Sequence, residues 1–191
     1  MNAVVIGNGS SRLCIDLSKL KGQLKTYGCN ALYRDFIPDV LVSMDSYMVY
    51  EIINNKAHYK THFVTQHVND IDKLANIGEP IHFIQHCNST PDSGTAAVRL
   101  ACLDDHTVIY MLGFDYHNNG FNNVYAGTPN YASKNHSTPT SQDNSWKSRL
   151  NELTKKYHDI LFVRVTNDTD TVDKANFKHM SIEKFKEKYV C

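Results

Sequence analysis

The chain opens on a short apolar run, Val4-Val5-Ile6, that stops at Gly7-Asn8-Gly9 and continues into two small hydroxyl residues, Ser10 and Ser11. No other stretch constrains the fold as much. Three β-branched residues in a row read as a buried strand, and glycines on either side of an asparagine turn the backbone sharply at its carboxyl end. Gly7 and Gly9 are expected to supply φ values that other residues resist and to let the main chain approach a ligand closely. Exposed N–H groups and serine hydroxyls at a strand's end make a cradle for phosphate or carboxylate. An ordinary strand-to-loop turn accounts for the same residues equally well. Arg12 and Leu13 follow, so the third glycine of the dinucleotide fingerprint is missing, and there is no Gly-Lys-Ser/Thr. Both facts argue against a common NAD site and against a P-loop ATPase.

Downstream, strands alternate with helical stretches. Ile15 to Leu20 reads as a helical turn, Gln23 to Cys29 as a second strand, and Asn30 stands where a further helix starts before Pro38 breaks it. Val40 to Met44 is a third strand ending at Asp45, with Ser46 as the N-cap of a helix through about Ile53. Phe63-Val64-Thr65 and Ile81 to Ile84 are shorter apolar runs. Asp92-Ser93-Gly94-Thr95 precedes a helix of small residues, Ala96 to Leu103, suited to close packing on a sheet. The start of that helix is a second place where free N–H groups and the helix dipole favour an anion. Thr107 to Leu112 is the clearest strand and ends in Gly113-Phe114-Asp115-Tyr116. From His117 to Ser141 the chain is polar and turn-rich, and a loop of roughly 25 residues is more often functional than idle. Ser145 to Tyr157 reads as an amphipathic helix anchored in the core by Trp146. Ile160 to Val165 is the last strand, and Ser181 to Tyr189 a terminal helix.

This alternation specifies an α/β fold: a single Rossmann-like domain over 1–191, with a mostly parallel, doubly wound sheet and helices on both faces. Ligands of such sheets sit outside the carboxyl ends of the strands. Those ends carry Gly7-Asn8-Gly9-Ser10, Asn30, Asp45 and Gly113-Phe114-Asp115-Tyr116. Composition narrows the partners. Lys+Arg and Asp+Glu balance at 20 each, so charge offers no case for nucleic acid or an acidic membrane surface. The five cysteines are scattered without a CxxC pair, which indicates neither a zinc knuckle nor a disulfide framework. His58, His62 and His67 lack partnering ligands at fixed spacing, so no metal site is read. The chain enters a strand within a few residues and has no membrane-length apolar run. A soluble cytoplasmic protein is expected, with a homo-oligomer left open.

The quoted motifs resemble, in order, those of the bacterial sialyltransferases that use a CMP-sugar donor. Gly7-Asn8-Gly9-Ser10-Ser11, Ile15-Asp16, Cys29-Asn30, Ser93-Gly94 and Gly113-Phe114-Asp115-Tyr116 look like that family's Gly-Asn-Gly-Pro-Ser, Ile-Asp, Cys-Asn, Thr-Ser-Gly and Gly-Ile-Asp-Phe. Pro38 to Asp45 is also similar to the archaeal pterin diphosphokinase-like group. The whole arrangement further looks like uncharacterised small proteins of marine tailed bacteriophages, which would imply the host cytoplasm. The similarity covers about residues 3–165 and rests on short motifs.

The sialyltransferase resemblance implies a nucleotide or nucleotide-sugar ligand and no cofactor. Asn8 and Asn30 would hydrogen-bond the donor, and Ser93, Gly94 and Thr95 would contact base, ribose or phosphate. Tyr116 and Tyr125 would hold the phosphate, and His136 in the long loop would be the catalytic base. His136 lies farther from the following helix than the family pattern has it, and Ser10 replaces the family's proline. The chemistry implied is displacement at an anomeric carbon, with a base of near-neutral pKa taking the acceptor's proton and no metal required. Each residue has a plainer role beside this one: His136 as a solvated surface histidine, Asp45 and Asp115 as caps or loop-shaping groups, Tyr125 and Tyr131 as packing. Two other classes stay open. A nucleotide or pterin diphosphokinase would place Asp45 and Asp115 on Mg²⁺, and a non-catalytic phage protein would keep the fold without the reaction.

Overall fold

The computed structural model describes residues 2–66, 80–84, 92–115, 123–133, 140–168 and 174–191. Eight strands form one sheet: β1 Asn2–Ile6, β2 Lys25–Cys29, β3 Val40–Ser43, β4 His62–Thr65, β5 Ile81–Phe83, β6 Val108–Leu112, β7 Leu161–Val165 and β8 Phe177–Met180. Their order is β5-β4-β3-β2-β1-β6-β7-β8, and every neighbouring pair is parallel. The described helices are α1 Ser46–Asn54, α2 Ser93–Leu103, α3 Thr140–Lys156 and α4 Ile182–Tyr189. The expected α/β, Rossmann-like, parallel architecture is therefore what this chain adopts.

Strand order reverses between β1 and β6, which makes the gap between their loops the switch point at which such sheets bind ligands. β1 sits at the centre, and its alternation assigns the two faces. Ala3 and Val5 lie in one core cluster with Ala97, Ala101, Leu150 and Leu153 of α2 and α3. Val4 and Ile6 lie in another with Leu20, Leu32 and Phe185 of α4. Helices thus cover both faces, and the small residues of α2 let it pack across β1, β2 and β3. Phe162, fully buried on β7, typifies the residues that hold the sheet together; its truncation to alanine costs about 3–5 kcal/mol.

Several boundaries differ from the sequence reading. Asp45, not Ser46, occupies the N-cap of α1, and it makes no side-chain capping bond. Ser93, Gly94 and Thr95 form the first turn of α2 itself, and Asp92 is the cap. α3 begins at Thr140, before the expected Ser145. Ile160 to Val165 is not the last strand, because β8 follows it. Phe177-Lys178-His179-Met180 is half-buried throughout at the sheet's edge, so it has no apolar run to announce it. No helix among the described residues is long and apolar enough to cross a membrane.

Candidate functional site

A cavity of about 480 Å³ opens at the carboxyl edge of the sheet, over the β1–β6 switch point. The loops after β1, β2, β3 and β6 line it together with the first turn of α2 and one face of α3. Of the residues singled out in the sequence, Gly7, Asn8, Gly9, Asn30, Asp45, Ser93, Gly94, Thr95 and Asp115 all line it. Ser10, Ser11 and Tyr125 do not. His136 and Tyr116 lie outside the described residues, as does much of the 117–141 loop.

The glycine loop is built differently from the expectation. Gly9 has φ −69°, and Gly7 and Gly9 are not among the residues with positive φ. They are glycine because the loop after β6 comes so close. A Cβ on Gly7 would lie 2.6 Å from the Gly113 carbonyl oxygen, and one on Gly9 would lie 2.5 Å from an Asp115 carboxylate oxygen. Gly113 is the residue that needs left-handed backbone, at φ +74°. The loop's amides are occupied as well. Gly7 N donates to Leu112 O at 2.8 Å, Gly9 N to Gly113 O at 2.9 Å, and Ser11 N and Oγ to the two oxygens of Asp115 at 2.9 and 2.6 Å. The amides of residues 7, 9 and 11 thus fasten β1 to the end of β6. Asp115 takes the loop-shaping role.

Asn8 is the part of the loop that faces the cavity with unused capacity. Its Nδ2 donates to the Tyr131 hydroxyl at 3.3 Å. Its Oδ1 is shielded from solvent and has no partner among the described residues, an expensive state for an amide oxygen unless a ligand relieves it.

Beside it, Asn30 adopts left-handed φ, +50°, at the end of β2, a conformation asparagine tolerates better than most residues. Ser43 Oγ donates to its Oδ1 at 3.0 Å, and its Nδ2 reaches Asp45 at 3.4 Å, so the side chain is held in one orientation. Burial pushes the Cys29 thiol up to about 12, which makes it a neutral wall of the cavity and a poor nucleophile.

The start of α2 makes the opposite wall. Asp92 caps it, accepting from Thr95 N at 2.8 Å and Thr95 Oγ1 at 2.7 Å. Ser93 Oγ accepts the Met44 N–H at 2.9 Å, tying the helix to the end of β3 and leaving the hydroxyl hydrogen without an acceptor among the described residues. The amides of Ser93 and Gly94 likewise have no partner among them. Arg149 of α3 stands 3.5 Å from Asp92 with its side chain one-third exposed. It is the only cation among the described lining residues, against the carboxylates of Asp45, Asp92 and Asp115.

Tyr125 serves a different place. Its buried hydroxyl donates to Asp35 at 2.7 Å and accepts from Arg12 at 2.8 Å. Burial and the hydrogen bond to Asp35 raise its pKa, so it remains a neutral phenol. Packing of 123–133 onto the body is therefore what Tyr125 does in this structure. Tyr131 does the same, with its hydroxyl accepting from Ala31 N and Asn8 Nδ2.

Arg149, Asn123 and Met44 line the cavity without having been singled out, and Trp146, expected in the core, is half-buried in the cavity wall. Trp146 and Arg149 stand three apart on α3, beside the face that buries Leu150 and Leu153. An aromatic and a cation at helical spacing next to an apolar face was the available signal.

No protein-family model matches the chain, and no curated protein matches it in sequence. Its fold is similar to solved sialyltransferases of Campylobacter jejuni. CstII in complex with the substrate analogue cytidine-5'-monophosphate superposes with a TM-score of 0.57 at 17% identity, over 85% of this chain and 79% of that one. A CstII variant in complex with CMP gives 0.57 at 18% identity, over 85% and 81%. The monofunctional α-2,3-sialyltransferase Cst-I gives 0.56 at 13% identity, over 88% and 77%. At these identities the likeness establishes the fold alone.

Proposed function

We propose that this chain, as a single nucleotide-sugar-transferase-like domain, binds a nucleotide-sugar donor of the CMP type in the switch-point cavity and transfers the sugar to a hydroxyl acceptor without a metal. The observation that carries the reading is the buried Asn8 Oδ1, without a partner among the described residues, set in a cavity to which chain segments far apart in sequence contribute polar groups. The similarity in fold to sialyltransferases solved with CMP supports the choice of nucleotide.

In this reading Asn8 and Asn30 hydrogen-bond the nucleoside. The phosphate meets the Ser93 and Gly94 amides, the Ser93 hydroxyl and the positive end of α2, with Arg149 offsetting the local carboxylates. The acceptor oxygen attacks the anomeric carbon as the bond from that carbon to the phosphate oxygen breaks. The nucleotide leaves as the monophosphate, and the acceptor's proton passes to a base. Groups already aimed at the departing phosphate lower the barrier because they need no reorganisation. His136 is assigned the base on the resemblance alone.

A thermal-shift screen against CMP, UDP, GDP and ATP, each with Mg²⁺ and with EDTA, tests the binding step. CMP is expected to stabilise the protein in EDTA, and Asn8→Ala to abolish the shift. A flat screen sinks any nucleotide-based role. The exposed Asp45 carboxylate favours one competitor, a Mg²⁺-dependent diphosphokinase; a shift with ATP only when Mg²⁺ is present selects it. Release of CMP from CMP-sialic acid tests the chemistry. Turnover indifferent to His136→Ala removes the assigned base, and binding without any turnover selects the non-catalytic reading.

A further inference from the structure

A second depression, of about 860 Å³, lies on segments that also wall the cavity. The 3₁₀ turn Asn30–Arg34 contributes Asn30 to the cavity and Tyr33 and Arg34 to this groove. The chain around α1 contributes Asp45 to one and Tyr47, Tyr50 and Asn54 to the other, and the 123–133 segment contributes Asn123 and Asn130.

We propose that this groove binds a neutral oligosaccharide. Tyr47 and Asn54 lie away from the face of α1 that buries Met48, Val49, Ile52 and Ile53, and between them Tyr50 lines the groove while its half-buried ring also packs on that core. Tyr47 is 76% exposed. The exposed Tyr47 ring, beside the partly buried rings of Tyr33 and Tyr50 that also line the groove, suits a partner with a flat apolar face and a polar rim. The groove's charges are closed on one another. Glu51 accepts from Arg34 Nε at 2.8 Å and Nη2 at 2.7 Å, from Asn130 Nδ2 at 2.7 Å, and from the Tyr33 hydroxyl. Burial alone would raise the Glu51 pKa, but these hydrogen bonds outweigh it and hold its carboxyl below the usual range, so the pair stays ionised. A paired arginine and glutamate leave little attraction for an anion or a cation, which removes phosphate, carboxylate and metal as ligands.

Planar amide edges remain. Asn55 Nδ2 donates to the Glu51 carbonyl and Asn130 Nδ2 to its carboxylate, while their Oδ1 atoms have no partner among the described residues and are acceptors for hydroxyl donors. Rings for a C–H face and amides for equatorial hydroxyls are the complement of a pyranose. The walls are also set in advance. Arg34 lies over the rings of Tyr125 and Tyr131, at 5.6 and 5.9 Å from their centroids, and donates to Thr128 Oγ1 and Pro129 O. A ligand then has few side chains to order on binding.

Isothermal titration of the full chain with maltotetraose, cellotetraose and chitotetraose tests the proposal, with tryptophan fluorescence and the urea midpoint as folding controls. At least one tetrasaccharide is expected to bind saturably. Tyr47→Ala, at an exposed position, should weaken it about three- to tenfold, and Tyr47→Phe should retain it. Excess CMP should not displace it. Failure of all three sugars, binding indifferent to both Tyr47→Ala and Tyr50→Ala, or displacement by CMP overturns the groove assignment. The nucleotide screen is read separately, so either reading falls without the other.

Discussion

Two glycine-containing turns face one another across the cavity, and they are held in opposite ways. At the β1–β6 junction, Gly7 and Gly9 are pressed against Gly113 and Asp115, and the amides of residues 7, 9 and 11 all have internal acceptors. At the start of α2, Gly94 is less crowded, the nearest neighbours to an added Cβ being side chains at 3.3 Å and beyond, and the Thr95 amide is taken by the Asp92 side chain. In the sequence both stretches look like anion cradles. The second keeps the amides of Ser93 and Gly94 for a ligand, because a helix start has N–H groups with no acceptor in its own helix, whereas the amides of residues 7 and 9 bond the neighbouring parallel strand's end. Close steric fit and the Asp115 carboxylate hold the first wall, and the Asp92 side chain caps the second.

The largest expected effect breaks the steric wall. Gly9→Ala puts a methyl 2.5 Å from the Asp115 carboxylate and 2.7 Å from the Gly113 carbonyl; it should cost about 3 kcal/mol or more by urea denaturation. A loss under about 1 kcal/mol would mean that the junction yields easily, and the contrast would fail. Next comes Asp92→Ala, which removes the cap of α2 and should cost about 1 kcal/mol, while also removing the carboxylate that Arg149 reaches at 3.5 Å. Equal losses for Gly9→Ala and Asp92→Ala would erase the distinction between the walls.

A smaller effect is readable in pH. The folded-state pKa of Glu51 is lowered, so its stabilisation is full above the ordinary glutamate value of about 4.3 and is lost as pH falls through the lowered one. Wild type and Glu51→Gln should therefore differ in denaturation midpoint at pH 7 and converge as the pH falls through that lowered value. A gap that persists unchanged at acid pH would show that the carboxylate's charge is not what holds the segment. Smallest in stability is Gly94→Ala. The nearest atoms to its Cβ would be Asp92 Oδ1 at 3.3 Å and the Phe114 ring at 3.5 Å, both in the cavity wall. The fold should change by less than about 1 kcal/mol, the helix-propensity gain set against the tight contact with Asp92, while the CMP-induced thermal shift shrinks. An unchanged shift would place the nucleotide away from the α2 start.

Much of the frame was legible in the chain. Apolar runs ending on Gly7, Asn30, Asp45 and Gly113 marked the carboxyl ends of four strands, and alternation with helices marked the sheet as parallel. Those readings depend on neighbours within a few residues, which propensity and periodicity report. β8 escaped because an edge strand is half-wet and has no apolar signature. Trp146 was read as core for a similar reason: periodicity shows which face of a helix is apolar, but not where that face ends and a cavity begins.

By itself, then, the sequence determined that four polar turns would gather at one edge of a sheet, since topology carries every parallel strand's end to the same side. Which of those turns still had hydrogen bonds to offer was decided only by tertiary structure. The amides of Gly7 and Gly9 face Leu112 and Gly113 more than 100 residues away, the Tyr125 hydroxyl meets Arg12 and Asp35, and Arg149 reaches Asp92 from another helix. A hydrogen-bond donor looks the same in the sequence whether it is satisfied or not, and the packing of distant segments alone settles which it is.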